Sequence, residues 1–139
     1  MKHHILPVLL LLACASPLLC AQEKSPEEIK AKKEEEIYNM METQLEHEIK
    51  FYELEDWQIF KIDSTLVHDY MAMLDDYDVL TKKGVQNMDF YQEVQDKWME
   101  SIHQTYLRVL SEEQKVKYLK SGAGKAAKAR ERRAARRRQ

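Results

Sequence analysis

Glycine and proline are scarce, with three of each in 139 residues. So few turn-formers exclude a sandwich or barrel of many short strands. They also leave no glycine-rich phosphate loop: neither GxGxxG nor a P-loop occurs, which removes the common nucleotide-dependent chemistries. Cysteine is nearly absent. Cys14 and Cys20 are the only two, and both fall within the first 21 residues, so neither a disulfide nor thiol chemistry is expected beyond them. No GxSxG elbow or HExxH is present, and Asp76-x-Asp78 lacks the glycine and terminal glutamate of a calcium loop. The chain is expected not to be an enzyme and to need no cofactor. What it does have is charge, in 33 % of its residues, above the roughly 25 % usual for globular domains.

Met1–Ala21 reads as an export signal. A weakly basic start precedes the apolar run Ile5–Ala13, broken only by Pro7 and too short to span a bilayer. Cleavage after Ala21 would leave a polar start at Gln22 and remove both cysteines, so a periplasmic location is expected. The alternative is a lipoprotein, because Leu11-Leu12-Ala13-Cys14 resembles a lipobox with Cys14 as the anchored residue. No second apolar run suits a transmembrane helix.

The rest of the chain divides by charge, which the formal net of −2 conceals. Residues 22–121 carry 23 acidic against 13 Lys and Arg side chains. Residues 122–139 carry Lys125, Lys128, Arg130, Arg132, Arg133, Arg136, Arg137 and Arg138 against Glu131 alone. The organisation expected is a signal at 1–21, a helical body at 22–121 and a basic tail at 122–139. Like charges and the lack of an apolar face predict a flexible, disordered tail, jointed at Gly122-Ala123-Gly124.

The body predicts an all-α fold, a small hairpin or bundle of about four helices. Ser25-Pro26-Glu27-Glu28 is a helix start: a capping serine, proline in the first turn, and acids at the positive end of the dipole. A second helix starts near Leu54-Glu55-Asp56-Trp57-Gln58. Its main stripe is Trp57, Phe60, Ser64, Val67, Met71 and Leu74, flanked by Ile59, Ile62, Leu66, Tyr70 and Met73. Gly84 and Asn87 mark a turn before a third helix with Tyr91, Val94, Trp98, Ile102, Thr105 and Val109 on one face. Ser111-Glu112-Glu113-Gln114 is a capping box opening a short fourth helix.

Leu54–Gln58 and Leu110–Gln114 share Leu-x-x-x-Gln, an apolar anchor followed by a reciprocal capping glutamine. Leu54, Gln58, Leu110, Ser111 and Gln114 are the motif residues. Two such motifs in an all-helical chain with an export signal resemble the LTxxQ family of periplasmic proteins (Spy/CpxP-like), over about residues 49–120. The resemblance implies an antiparallel, cradle-shaped homodimer that holds unfolded clients without ATP or accompanies envelope-stress signalling. Two departures stand out. Glu55 and Ser111 replace the motif threonine, and the body is acidic where the family's chaperone cradle is basic.

Met40, Met41, Phe51, Tyr52 and Met73 are the client-binding candidates, since methionine and aromatic side chains adapt to irregular partners. Trp57 and Trp98 lie on the main stripes and are assigned to packing. A second reading is a metal-responsive protein for zinc, nickel or copper, using His47, His68 or His103 with Met99, which shares a helical face with His103. A third is an envelope interaction protein acting through the basic tail on anionic lipid, lipopolysaccharide or an acidic protein. Nucleic acid is not an expected partner of an exported chain.

Overall fold

The computed structural model describes residues 25–139; the signal sequence and the Cys14 alternative lie outside the described residues. Helix α1 spans Pro26–Tyr52, α2 Asp56–Lys82, α3 Met88–Val109, α4 Glu112–Tyr118 and α5 Gly124–Arg137, with a π-turn at Leu119–Ala123 before α5. The described residues contain no strand, and the all-α class read from the sequence is the one observed. No helix among them is long and apolar enough to cross a membrane.

Each junction has a local cause. Ser25 caps α1 as read: its Oγ accepts from Glu28 N and Glu28 reaches back to Ser25 N. Asn87 caps α3 through Asp89 N. The α2–α3 turn closes over Gly84, whose φ of 68° lies in the left-handed region that glycine enters without a Cβ penalty. The turn makes α2 and α3 an antiparallel hairpin. Its register is visible in Tyr77 beside Tyr91, in Trp98 Nε1 donating to Asp76 at 2.8 Å, and in Gln58 donating to Val109 O at 3.0 Å. Helix α1 runs antiparallel to α2, from a Lys30–Asp75 pair at 3.2 Å back to Tyr52.

The core lies at the end where α1, α2, α3 and α4 meet. Met41, Tyr52, Leu54, Ile62, Leu66, Ile102, Tyr106 and Leu110 form its buried cluster. The tyrosine ring of Tyr106 stacks on Tyr118, with centroids 4.8 Å apart, and its hydroxyl donates to Glu48. Burial pushes the Tyr106 hydroxyl far above the ordinary tyrosine range, so it stays a donor at any physiological pH.

On α2 the structure narrows the wide apolar face read from the two stripes. The buried face runs through Gln58, Ile62, Leu66, Asp69 and Met73. It is the flanking set of the sequence reading, extended through two polar residues. Trp57 and Phe60 point outward, 53 % and 66 % exposed.

The tail departs most from the expected disorder: residues 124–137 are helical and lie against α3. At a spacing of three and four, Arg130, Arg133 and Arg137 share one face of α5. They meet Asp96 and Glu100, one turn apart on α3. Arg133 approaches Asp96 at 2.6 Å, Arg137 approaches it at 2.5 Å, and Arg130 approaches Glu100 at 3.0 Å. Opposite charge on α3 thus offsets the repulsion that argued for disorder. The acids that receive the tail are not the Glu34–Glu36 or Asp75–Asp78 clusters, which take Lys30, Lys32, Lys82 and Lys97 instead. Gly122, at φ 112°, turns the chain into α5.

The Asp96 side chain is 9 % exposed. The hydrogen bond from Arg133 holds its carboxyl below the ordinary carboxylate range, against the opposing effect of burial. A group with a depressed folded pKa contributes stability above its unfolded value, near 3.9, and loses it as pH falls through the lower folded value. Docking of α5 should therefore be complete at neutral pH and weaken only below about pH 4. Asp96→Asn should loosen it at pH 7 by about 2 kcal/mol, between an exposed pair and a fully buried one. Hydrogen exchange of the α5 amides checks this: protection there should fall while that of α2 and α3 holds.

Candidate functional site

The two Leu-x-x-x-Gln motifs, 56 residues apart in sequence, meet in space. Leu54 and Leu110 are both buried, and the glutamines that follow face each other. Gln58 Nε2 donates to Gln114 Oε1 at 2.7 Å, and Gln114 Nε2 donates back to Gln58 Oε1 at 3.1 Å. Each side-chain oxygen also accepts from the backbone N–H that opens its own helix, Glu55 N for Gln58 and Ser111 N for Gln114, both at 2.9 Å. Each amide nitrogen then reaches the end of the helix before the other motif. Gln58 donates to Val109 O at the end of α3, and Gln114 donates to Tyr52 O and Glu53 O at the end of α1. Carbonyls at helix C-termini have no intrahelical partner. One reciprocal amide pair satisfies two helix starts and two helix ends, and so clasps α1–α2 to α3–α4.

The boxes are not equivalent. Ser111 Oγ accepts from Gln114 N, completing the second box. In the first, the Glu55 carboxylate accepts from Trp57 Nε1 at 2.6 Å. That bond fixes Trp57 against the start of α2 with its ring facing out.

The clasp positions an apolar face. Between α1 and α2 lies a groove of about 400 Å³, lined by Tyr38, Met41, Leu45, Ile49, Ile59 and Val67 among other residues. Glu42, Glu46 and Asp63 also line it, giving an apolar floor and an acidic border. Trp57 and Phe60 on α2, and Tyr38, Met40 and Phe51 on α1, are large apolar side chains left open to solvent. Phe51 stacks on His47 at 5.8 Å. Lys61 lies 5.9 Å from the Phe60 ring centroid.

The client-binding candidates therefore separate. Met40 and Phe51 are exposed; Met41, Tyr52 and Met73 are buried and serve packing. Tyr52 stands edge-on to Tyr118 and bonds Ser121. Trp57, assigned to packing from its stripe, is exposed instead. Trp98 is half-buried on Asp76.

The metal candidates are not brought together. His47 is on α1 against Phe51. His68 is on α2, its Nδ1 2.7 Å from Asp69 Oδ1 and its ring edge-on to Trp98. His103 is buried on α3, its Nδ1 2.8 Å from the Tyr118 hydroxyl. Burial lowers the His103 pKa, which keeps the ring neutral and suits it to that hydrogen bond. Met99 packs against the core. Among the described residues no three His, Cys, Asp or Glu side chains are placed to share a metal ion.

Comparison with protein families, with characterised proteins and with solved structures finds no match to this chain.

Proposed function

We propose that the chain is an exported, ATP-independent binding protein that holds unfolded or partly folded proteins against the open face of α1 and α2. The observation that carries this reading is the apolar groove between α1 and α2, with solvent-facing Tyr38 in its lining and Phe60 and Trp57 exposed on α2. A folded chain ordinarily covers side chains of this size, and grouped exposure marks a binding surface. Covering the exposed part of each ring would contribute roughly 1–2 kcal/mol. A client contacting only a few of them is held reversibly. The acidic border formed by Glu42, Glu46 and Asp63 favours basic, unfolded segments. The proposal carries the export signal, the periplasmic location and the homodimer along with the function. Sedimentation of the purified chain tests the dimer separately.

Aggregation of a chemically unfolded client, followed by light scattering without ATP, tests the function. Near-equimolar chain should suppress the signal. Trp57→Ser with Phe60→Ser should lose most of that effect at unchanged melting temperature, because neither ring is in the core. Full suppression by the double variant would remove this face from the account.

A further inference from the structure

Helix α5 has two cationic sides, and only one is used within the molecule. Arg130, Arg133 and Arg137 are pinned to Glu100 and Asp96. At 100° per residue, Lys125, Lys128, Arg132 and Arg136 fall within an arc of about 80°, centred about 130° from those three arginines; Lys125, Lys128 and Arg132 also border the groove between α5 and α3. All four are exposed, and none makes an ion pair among the described residues. They form a straight row about 16 Å long. Glu131, the one acid in α5, lies outside that arc.

We propose that α5 is a docked electrostatic arm whose outer row binds the flat anionic surface of a phospholipid bilayer. The inner arginines hold the helix straight and fix which side faces out, so the row does not have to order itself on binding. Gly, Ala, Lys, Arg and Glu are the only residues of α5. The helix has no apolar side chain large enough to insert into acyl chains, so contact stays at the headgroups. It has no aromatic on which a single-stranded base could stack. Together with the export signal read at Met1–Ala21, these features favour lipid phosphate over nucleic acid.

The test uses the purified full chain and vesicles of phosphatidylcholine with about one-third phosphatidylglycerol, at low salt. Co-sedimentation should show binding to these vesicles and none to pure phosphatidylcholine. Replacing Lys125, Lys128, Arg132 and Arg136 together by Gln should weaken binding on the order of 1,000-fold, with melting temperature and helix content unchanged. The two halves, Lys125→Gln with Lys128→Gln and Arg132→Gln with Arg136→Gln, should each weaken it about 30-fold, which keeps the test intact if the fourfold variant does not fold. Equal binding by the variants, or no binding by the unaltered chain at low salt, overturns the proposal. Tighter binding to duplex DNA than to the vesicles at matched salt overturns it in favour of nucleic acid. None of these outcomes depends on client holding.

Discussion

Tyr106→Ala should be the most destabilising single substitution in the chain, at about 4 kcal/mol. The ring is 2 % exposed and stacks on Tyr118, so its removal opens a cavity where α1, α3 and α4 converge. It also leaves Glu48 without its buried donor. Tyr106→Phe separates the two effects: it keeps the ring and should cost about 1.5–3 kcal/mol, the loss of a hydrogen bond to a charged acceptor. Denaturant unfolding checks both. The midpoint should fall for each variant while the slope with denaturant stays constant, as expected when the core loosens without a change in the surface exposed.

The clasp comes second. Gln58→Ala should cost about 2–3 kcal/mol, because Val109 O, Glu55 N and the Gln114 amide all lose a partner at a site where water has little access. Gln114 is less buried, so Gln114→Ala should cost less. Ser111→Ala removes one capping bond, worth about 1 kcal/mol. The two glutamine losses should be strongly non-additive, since each single substitution already breaks the shared pair. A double variant equal to the sum of the singles would mean that the amides act as separate caps, and that the hydrogen bonds between them contribute nothing.

Helix starts were the most legible part of this fold. Ser25 and Ser111 announce α1 and α4 through short-range chemistry, and the structure places a cap at each; Asn87, read only as a turn residue, caps α3. The clasp was half legible. Leu-x-x-x-Gln can be read twice, but nothing in either copy says that the two amides touch, because that contact depends on how α1–α2 lies against α3–α4. The inward face of α2 was misread for a specific reason. The buried stripe includes Gln58 and Asp69, and a hydropathy pattern rejects a stripe with two polar members. Gln58 is satisfied by the clasp; Asp69 has His68 on one oxygen. Trp57 and Phe60 were therefore counted in the packed face together with Ile62, Leu66 and Met73. Large rings competing for two stripes on one helix were the signal that one set had to face outward.

The tail was misread because its charges were weighed among themselves. Arg130, Arg133 and Arg137 share a face at helical spacing, and Asp96 and Glu100 share another on α3. Both patterns can be seen in the sequence. Their pairing requires the turn at Gly122, which only the tertiary structure supplies. Burial raises the pKa of Glu100, but hydrogen bonds from Gln104 and Arg130 outweigh it and keep the carboxyl below its ordinary range. The acid that receives Arg130 is thus ionised at neutral pH, as Asp96 is.

The measurement closest to the central claim asks where a client touches. With a photo-crosslinking phenylalanine analogue in place of Phe60 or Tyr38, and separately in place of Glu93 on exposed α3 surface, the chain would be mixed with a chemically unfolded client and irradiated. The account expects abundant client adducts from positions 60 and 38, few from position 93, and competition by excess unlabelled chain. Adducts spread evenly over the three positions, or concentrated at position 93, would contradict a holding surface on α1 and α2.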